Sequence, residues 1–202
     1  MSRVGRLPQV NPFSSRFVQP GAIPFQFPTP DGLALLVSQL EASGGWGEIV
    51  GPHGSGKSTL LATLLPSLSA WRVRHVRLNT SHRVLPAGLF DPPEPGTLLV
   101  IDGFEQLSVL SRFRVKRHCR LHEAGLLVTA HRPMGLPQLR RTDVAGETAA
   151  ELVARLVPPG GEWVLAGFDI AARLRHHRGS LREVLFELYD IWARGSQPVA
   201  NE

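Results

Sequence analysis

Residues 46–59 read WGEIVGPHGSGKST. Trp46–Val50 is a short, mostly apolar run with the look of a buried strand. It leads into Gly51-Pro52-His53-Gly54-Ser55-Gly56-Lys57-Ser58, which fits G-x-x-x-x-G-K-[ST] without departure. Glycines at 51, 54 and 56 let the backbone wrap with its N–H groups turned inward, forming an anion nest. A helix starting at Lys57 adds its positive dipole end to the same point. Lys57 supplies a compact charge for outer phosphates, Ser58 a hydroxyl for Mg²⁺, and Thr59 a hydroxyl for an inner phosphate. His53 occupies a variable position of the pattern, with no chemical role of its own. The competing reading is a tight turn between strand and helix that binds nothing.

Working outward, the helix after the loop is expected over Lys57–Leu68. Trp71–Leu78, WRVRHVRL, alternates apolar and basic residues as a half-exposed strand does. Thr97–Ile101, TLLVI, is a continuous apolar run, the mark of a strand buried on both faces of a parallel sheet. A helix is expected over Glu105–Glu123, ended by Gly125, with Leu126–Thr129 as another buried strand. Arg140–Val144 is a short last strand. Before the loop, Asp31 is placed to cap a helix over Gly32–Ala42, whose Leu33, Leu36, Val37 and Leu40 fall on one face. Strands alternating with helices give an α/β core with a parallel sheet. Beyond it the pattern is purely helical: Glu147–Val157, Phe168–His177 and Ser180–Ala193. The tail from Gly195 reads as loose.

Residues 1–30 carry prolines at 8, 12, 20, 24, 28 and 30, a density that excludes helix and central strand. They read as an extended arm anchored by Phe13, Phe17, Phe25 and Phe27. The expected organisation is a proline-rich arm (1–30), an α/β core (31–146) and a helical segment (147–202).

The chain has 202 residues, 43% of them hydrophobic and 19% charged, with a net charge of +5. That is enough apolar surface for a real core. The single cysteine, Cys119, excludes an internal disulfide framework. No apolar run reaches ~18 residues, so no membrane span is expected. The N-terminus lacks the apolar run of a signal peptide, and a cytoplasmic location is the expectation. All cations but Lys57 and Lys116 are arginine, a bias that often follows genome composition, so the basic balance is weak evidence for nucleic-acid binding.

A second candidate group lies at strand ends. Asp102 follows Leu98-Leu99-Val100-Ile101, at the rim where open α/β sheets bind ligands. A carboxylate there can hold Mg²⁺ together with Ser58; the alternative is a helix N-cap. Gly103 comes next, and the nearest acid is Glu105, a candidate base for an attacking water if the Gly103 turn swings the chain back. Otherwise Glu105 is simply an acid favoured by a helix N-terminus. Thr129 ends the other buried strand and is a candidate contact to a γ-phosphate or water. His131 and Arg132 follow it.

With these residues placed, the chain resembles the AAA+ and STAND-like branch of P-loop ATPases. The loop at 51–59, Asp102 and Thr129 match that branch in order and approximate spacing. The resemblance covers roughly residues 30–194 and implies a three-layer P-loop NTPase fold with a central parallel sheet and a small C-terminal helical lid. It implies ATP and Mg²⁺ as cofactors, with Gly51, Pro52, His53, Gly54, Ser55, Gly56, Lys57, Ser58 and Thr59 binding nucleotide. LRRTDVAGETAAELV looks like the last core strand leading into the lid. Gly179-Ser180-Leu181-Arg182 looks like the start of a lid helix whose arginine, Arg182, reports the γ-phosphate. Ile101-Asp102-Gly103-Phe104-Glu105 departs from the Asp-Glu pair of fast hydrolases and is closer to the STAND pattern. Arg132, Arg140 and Arg141 are candidate fingers toward a neighbouring subunit, which would make the chain a homo-oligomer. The activity implied is ATP binding with slow hydrolysis. A small-molecule or nucleotide kinase and a non-hydrolysing ATP-binding switch remain as alternatives. The chain has no L-S-G-G-Q segment of ABC ATPases and no N-K-x-D segment of GTPases.

Three weaker signals lie on helices. Arg112, Lys116 and Arg120 are spaced four apart and share a face, suited to nucleic acid or an acidic protein partner, or simply solvated. His118 and His122 are also four apart but lack a third ligand for a metal. Arg173, Arg175, His176, His177 and Arg178 form a second basic cluster.

Overall fold

The computed structural model describes residues 10–81 and 83–195. The expectations for Pro8 and the tail beyond Gly195 lie outside them. The chain divides into two compact units. One comprises Pro24–Pro52 and Gly56–Asp143; the other comprises the described residues up to Ile23, the loop tip His53–Ser55, and Val144 onward. The division therefore falls at Asp143/Val144, and the arm is shared between the units.

The first unit is α/β. Its elements are α2 (Gly32–Ala42), β1 (Trp46–Val50), α3 (Lys57–Leu64), β2 (Arg72–Arg77), β3 (Thr97–Asp102), α4 (Val109–Leu121), β4 (Gly125–Ala130) and β5 (Gln138–Arg141). The five strands form one sheet in the order β2-β3-β4-β1-β5, and every pairing is parallel. All strand carboxyl ends thus share one edge. β4 lies between β1 and β3, so the strand ending near Thr129 separates the one entering the glycine-rich loop from the one ending in Asp102.

β3 and β4 are buried at every position, as their unbroken apolar runs require. Alternate residues feed two cores. Leu99, Ile101, Leu126 and Val128 pack with Val115 and Cys119 of α4. Leu98, Val100, Leu127 and Ile49 pack with Leu36 and Leu40 of α2 and Leu60, Leu61 and Leu64 of α3, with Phe25 and Phe27 of the arm alongside. Helices therefore cover both faces of the sheet. β2 is an edge strand whose exposed positions are mostly arginine, a composition that discourages edge-to-edge pairing.

Several local expectations are corrected. α3 ends at Leu64, and Leu65–Ser67 tightens into a 3₁₀ turn with Pro66 at its start. The expected helix from Glu105 is two elements: Phe104–Gln106 is a 3₁₀ turn, and α4 begins at Val109, after Ser108 caps it by accepting from Ser111 N at 3.1 Å. Gly125 does not end that helix, which stops at Leu121, and instead opens β4. The last strand lies at Gln138–Arg141, earlier than expected. Asp31 stands at the N-cap of α2 without making a side-chain cap bond.

Glu48 went unremarked in the sequence. Its carboxylate is buried on β1, where Oε2 accepts Met134 N at 2.7 Å and Leu136 N at 3.2 Å. The Met134 carbonyl in turn accepts from Lys116 Nζ. Burial pulls the Lys116 pKa below the ordinary lysine value, with Glu48 opposing that shift. The bend between β4 and β5 is thus held through both backbone polar groups of Met134.

The second unit is helical: α1 (Ser15–Val18), α5 (Gly146–Leu156), α6 (Ile170–His176) and α7 (Leu181–Gly195), with a 3₁₀ turn over Glu162–Leu165. α1 corrects the expectation of a helix-free arm; it forms in the proline-free stretch between Pro12 and Pro20. Phe13 is buried with Trp192, Leu188, Val184 and Val153, its ring 6.3 Å from that of Trp192. α6 is capped by Asp169, which accepts from Ala172 N at 2.9 Å. Among the described residues, no helix is long and apolar enough to cross a membrane.

Candidate functional site

The glycine-rich loop joins β1 to α3. Gly56 takes the helix N-cap position with φ 88°, a left-handed conformation open to glycine. The cap carries no side-chain hydrogen bond, and the start of α3 presents the positive end of the helix dipole. Lys57, the first helical residue, is buried, and its ammonium folds back to donate to the carbonyls of Gly51 (2.8 Å) and Pro52 (2.6 Å).

Asp102 lies at the carboxyl end of β3 and is a hub. Its Oδ1 accepts from Ser58 Oγ at 3.1 Å and from Thr129 Oγ1 at 2.5 Å, and its Oδ2 faces Arg77 Nε at 3.3 Å. Thr129 also accepts the N–H of Gly103 at 2.9 Å. The Thr129 proton is therefore committed to Asp102, and the hydroxyl ties the ends of β3 and β4 together.

Gly103 turns the chain sharply, with φ 87°. A Cβ there would lie 2.6 Å from the Leu78 carbonyl oxygen, so no larger residue fits. This turn brings Glu105 back beside His131, whose Nε2 lies 2.7 Å from Glu105 Oε1. Glu105 Oε2 is buried and accepts no hydrogen bond. The other imidazole nitrogen of His131, Nδ1, lies 3.4 Å from both Lys57 Nζ and Gly51 O.

The structure thus brings Lys57, Ser58, Asp102, Thr129 and Glu105 to one edge of the sheet, and it adds Arg77 and His131. Arg77 was invisible as a site residue because it ends an alternating basic strand. His131 was visible only as a neighbour of Thr129. Arg182 belongs to α7 in the helical unit. There Gly54 of the loop tip, with φ 69°, lies so close that a Cβ would stand 2.3 Å from Ser180 Oγ and 3.2 Å from Arg182 N.

The donor set suits a hard cation held by a few oxygens and water, because Ser58 Oγ and Asp102 Oδ1 converge at the mouth of an uncapped helix. Among the described residues, no group of three or more His, Cys, Asp or Glu side chains is placed to hold a metal ion by itself. His118 and His122 do stack, with ring centroids 4.6 Å apart. The expected basic face of α4 is engaged within the protein. Arg112 Nε donates to Leu107 O at 2.9 Å, Lys116 to Met134 O, and Arg120 lies over the Trp46 ring.

No family model matches the chain, and no curated protein matches it in sequence.

Proposed function

We propose that this protein is a Mg²⁺-dependent ATP-binding protein with slow ATPase activity, of the AAA+/STAND-like branch of P-loop NTPases. The observation that carries this reading is the meeting of Ser58 and Asp102 at 3.1 Å, beside Lys57 and an uncapped helix start. A turn that bound nothing would not need an aspartate from a third strand at its mouth. The insertion of β4 between β1 and β3 supports the same reading, since it places Thr129 where it can orient Asp102.

In this reading Lys57 leaves the carbonyls of Gly51 and Pro52 to neutralise the outer phosphates. The N–H groups of the loop and of the first turn of α3 line the phosphate chain. Ser58 and Asp102 would hold Mg²⁺, which supplies charge neutralisation to the transferring phosphoryl group. Thr129 and Arg77 fix the Asp102 carboxylate. Glu105 would serve as general base through Oε2, the buried oxygen that does not face His131, once a water reaches it. Slow turnover follows from Gly103 standing where fast hydrolases carry an acid, with Glu105 reaching the site only by a turn. The helical unit with Arg182 is read as the lid whose contacts change with the nucleotide.

Titration of Mg·ATP against the wild type and Lys57→Ala tests the proposal. Tight binding by the wild type and loss of at least about a hundredfold in Lys57→Ala is expected, as befits removal of a charged partner from a buried site. Equal binding by both proteins removes the proposal. A non-hydrolysing switch is the second reading, favoured by the engagement of Glu105 with His131. Single-turnover assay of labelled ATP separates the two, since absence of phosphate release over hours selects the switch.

A further inference from the structure

We infer that His131 is the positioning residue for Glu105 and couples that carboxylate to the state of Lys57; this rests on the ATPase reading above. The imidazole stands between the two. Nε2 faces Glu105 Oε1 at 2.7 Å, while Nδ1 faces the Lys57 ammonium at 3.4 Å.

The ring chemistry fixes how it serves both neighbours. A neutral imidazole has one N–H and one lone pair. An ammonium has protons to give and a carboxylate has only lone pairs, so a tautomer with hydrogen on Nε2 serves both neighbours once ring and carboxylate align; as they stand, the 2.7 Å approach is a close contact and not an aligned hydrogen bond. Nδ1 then turns its lone pair toward Lys57. The Gly51 carbonyl, 3.4 Å from Nδ1, is already served by Lys57 at 2.8 Å.

His131 also has a rigid base. It follows directly after β4, whose last residues Thr129 and Ala130 are buried, and Ala130 O accepts the Gly51 N–H at 3.2 Å. Glu105 instead sits in a short 3₁₀ turn after Gly103. The more firmly held histidine therefore sets where the carboxylate lies. With Oε1 fixed in this way, Oε2 is the oxygen left to take a proton.

Lys57 cannot give the same N–H bonds to the loop carbonyls and to a phosphate oxygen. When it turns toward phosphate, Nδ1 loses its cationic neighbour, and the hold of the ring on Glu105 changes with it. Readiness of the base is thereby tied to filling of the loop.

The experiment compares wild type, His131→Ala and His131→Gln, the last keeping an N–H donor for Glu105. Affinity for a fluorescent ATP analogue and single-turnover hydrolysis are measured on each. Thermal midpoints are measured for His131→Ala, Glu105→Ala and the double variant without nucleotide. Expected are a fall in hydrolysis of tenfold or more in His131→Ala at nucleotide affinity within about threefold of wild type, partial rescue in His131→Gln, and a double-variant Tm loss smaller than the two single losses together. Hydrolysis by His131→Ala at the wild-type rate overturns the inference and leaves the ATPase reading intact. Additive Tm losses overturn it as well, because they deny the contact. A wild type that binds Mg·ATP without hydrolysing it overturns both the inference and the ATPase reading, and a wild type that does not bind removes the proposed function altogether.

Discussion

Ser58 Oγ donates to Asp102 Oδ1 at 3.1 Å although 44 residues separate them in the chain. One residue lies in the first turn of α3 after β1, and the other closes β3, two strands away. Their meeting depends on parallel strands delivering their carboxyl ends to one edge, and it places a hydroxyl and a carboxylate where a hard cation can take both.

The first prediction concerns that pair. Asp102→Asn keeps the shape of the side chain and removes its charge. Expected is a weakening of Mg²⁺ affinity in the presence of ATP by at least about tenfold, since one charge–charge attraction near a protein surface exceeds 1.4 kcal/mol. A magnesium titration at fixed nucleotide measures it, and an unchanged midpoint would remove Asp102 from the proposed metal site.

Gly103 and Gly96 form a second test. Both have positive φ, 87° and 74°, but a Cβ at Gly103 would meet the Leu78 carbonyl at 2.6 Å, whereas at Gly96 nothing lies within 4 Å. Gly96→Ala is expected to cost about 1 kcal/mol for the left-handed backbone alone. Gly103→Ala is expected to cost about 2–4 kcal/mol, because steric displacement of β2 from β3 is added. Urea unfolding of both variants gives the comparison, and equal costs would contradict the close approach.

Acid sensitivity has a definite sign. Burial lowers the pKa of His118 below its ordinary value of 6.5, and repulsion from His122 and Arg74 lowers it further against Asp91. His75, at an exposed position of β2, is shifted the same way, chiefly by partial desolvation of its ring. Below pH 6.5 these two rings therefore bind more protons in the unfolded chain than in the folded one. The stability contributed by these neutral rings is complete above that pH and is lost as pH falls toward the lower folded values. Thermal midpoints between pH 7.5 and 5 should fall, and His118→Gln should flatten the decline. A midpoint that rises on acidification would contradict this account.

Cys119 lies on the buried face of α4, packed with residues of β3 and β4, and burial pushes its thiol up to about 11. At pH 8 it is almost wholly protonated and covered, so the native protein should resist alkylation while the urea-unfolded chain reacts readily. Labelling followed by mass measurement reads this directly. Rapid modification of the native protein would mean that α4 lifts from the sheet.

The sheet was legible because β3 and β4 are unbroken apolar runs, a pattern that few other environments tolerate. Gly51–Ser58 was legible because so much backbone geometry is written into glycine positions. The start of α4 was not, since Glu105 and Ser108 are both acceptable helix-start residues and only the Gly103 turn, with its contact to the Leu78 carbonyl, decides between them. Periodicity set Arg112 and Lys116 on one face of α4 but could not say that the face turns toward the Met134 bend. Arg77 and His131 joined the site through strand order, which no local pattern encodes. The parting of the arm, with Phe13 in one core and Phe25 and Phe27 in the other, was equally hidden, because aromatic anchors do not name their sockets.

Glu48 leaves a constraint on anyone who would transplant this loop. Its carboxylate is the acceptor on which the Met134–Leu136 bend depends, one strand position before Ile49-Val50 run into Gly51. Moving residues 46–59 to a foreign scaffold would bring along an anion stripped of both its donors. The graft has to travel as a two-piece cassette, strand and bend together, or be recoded at position 48 with an aliphatic residue before it is moved.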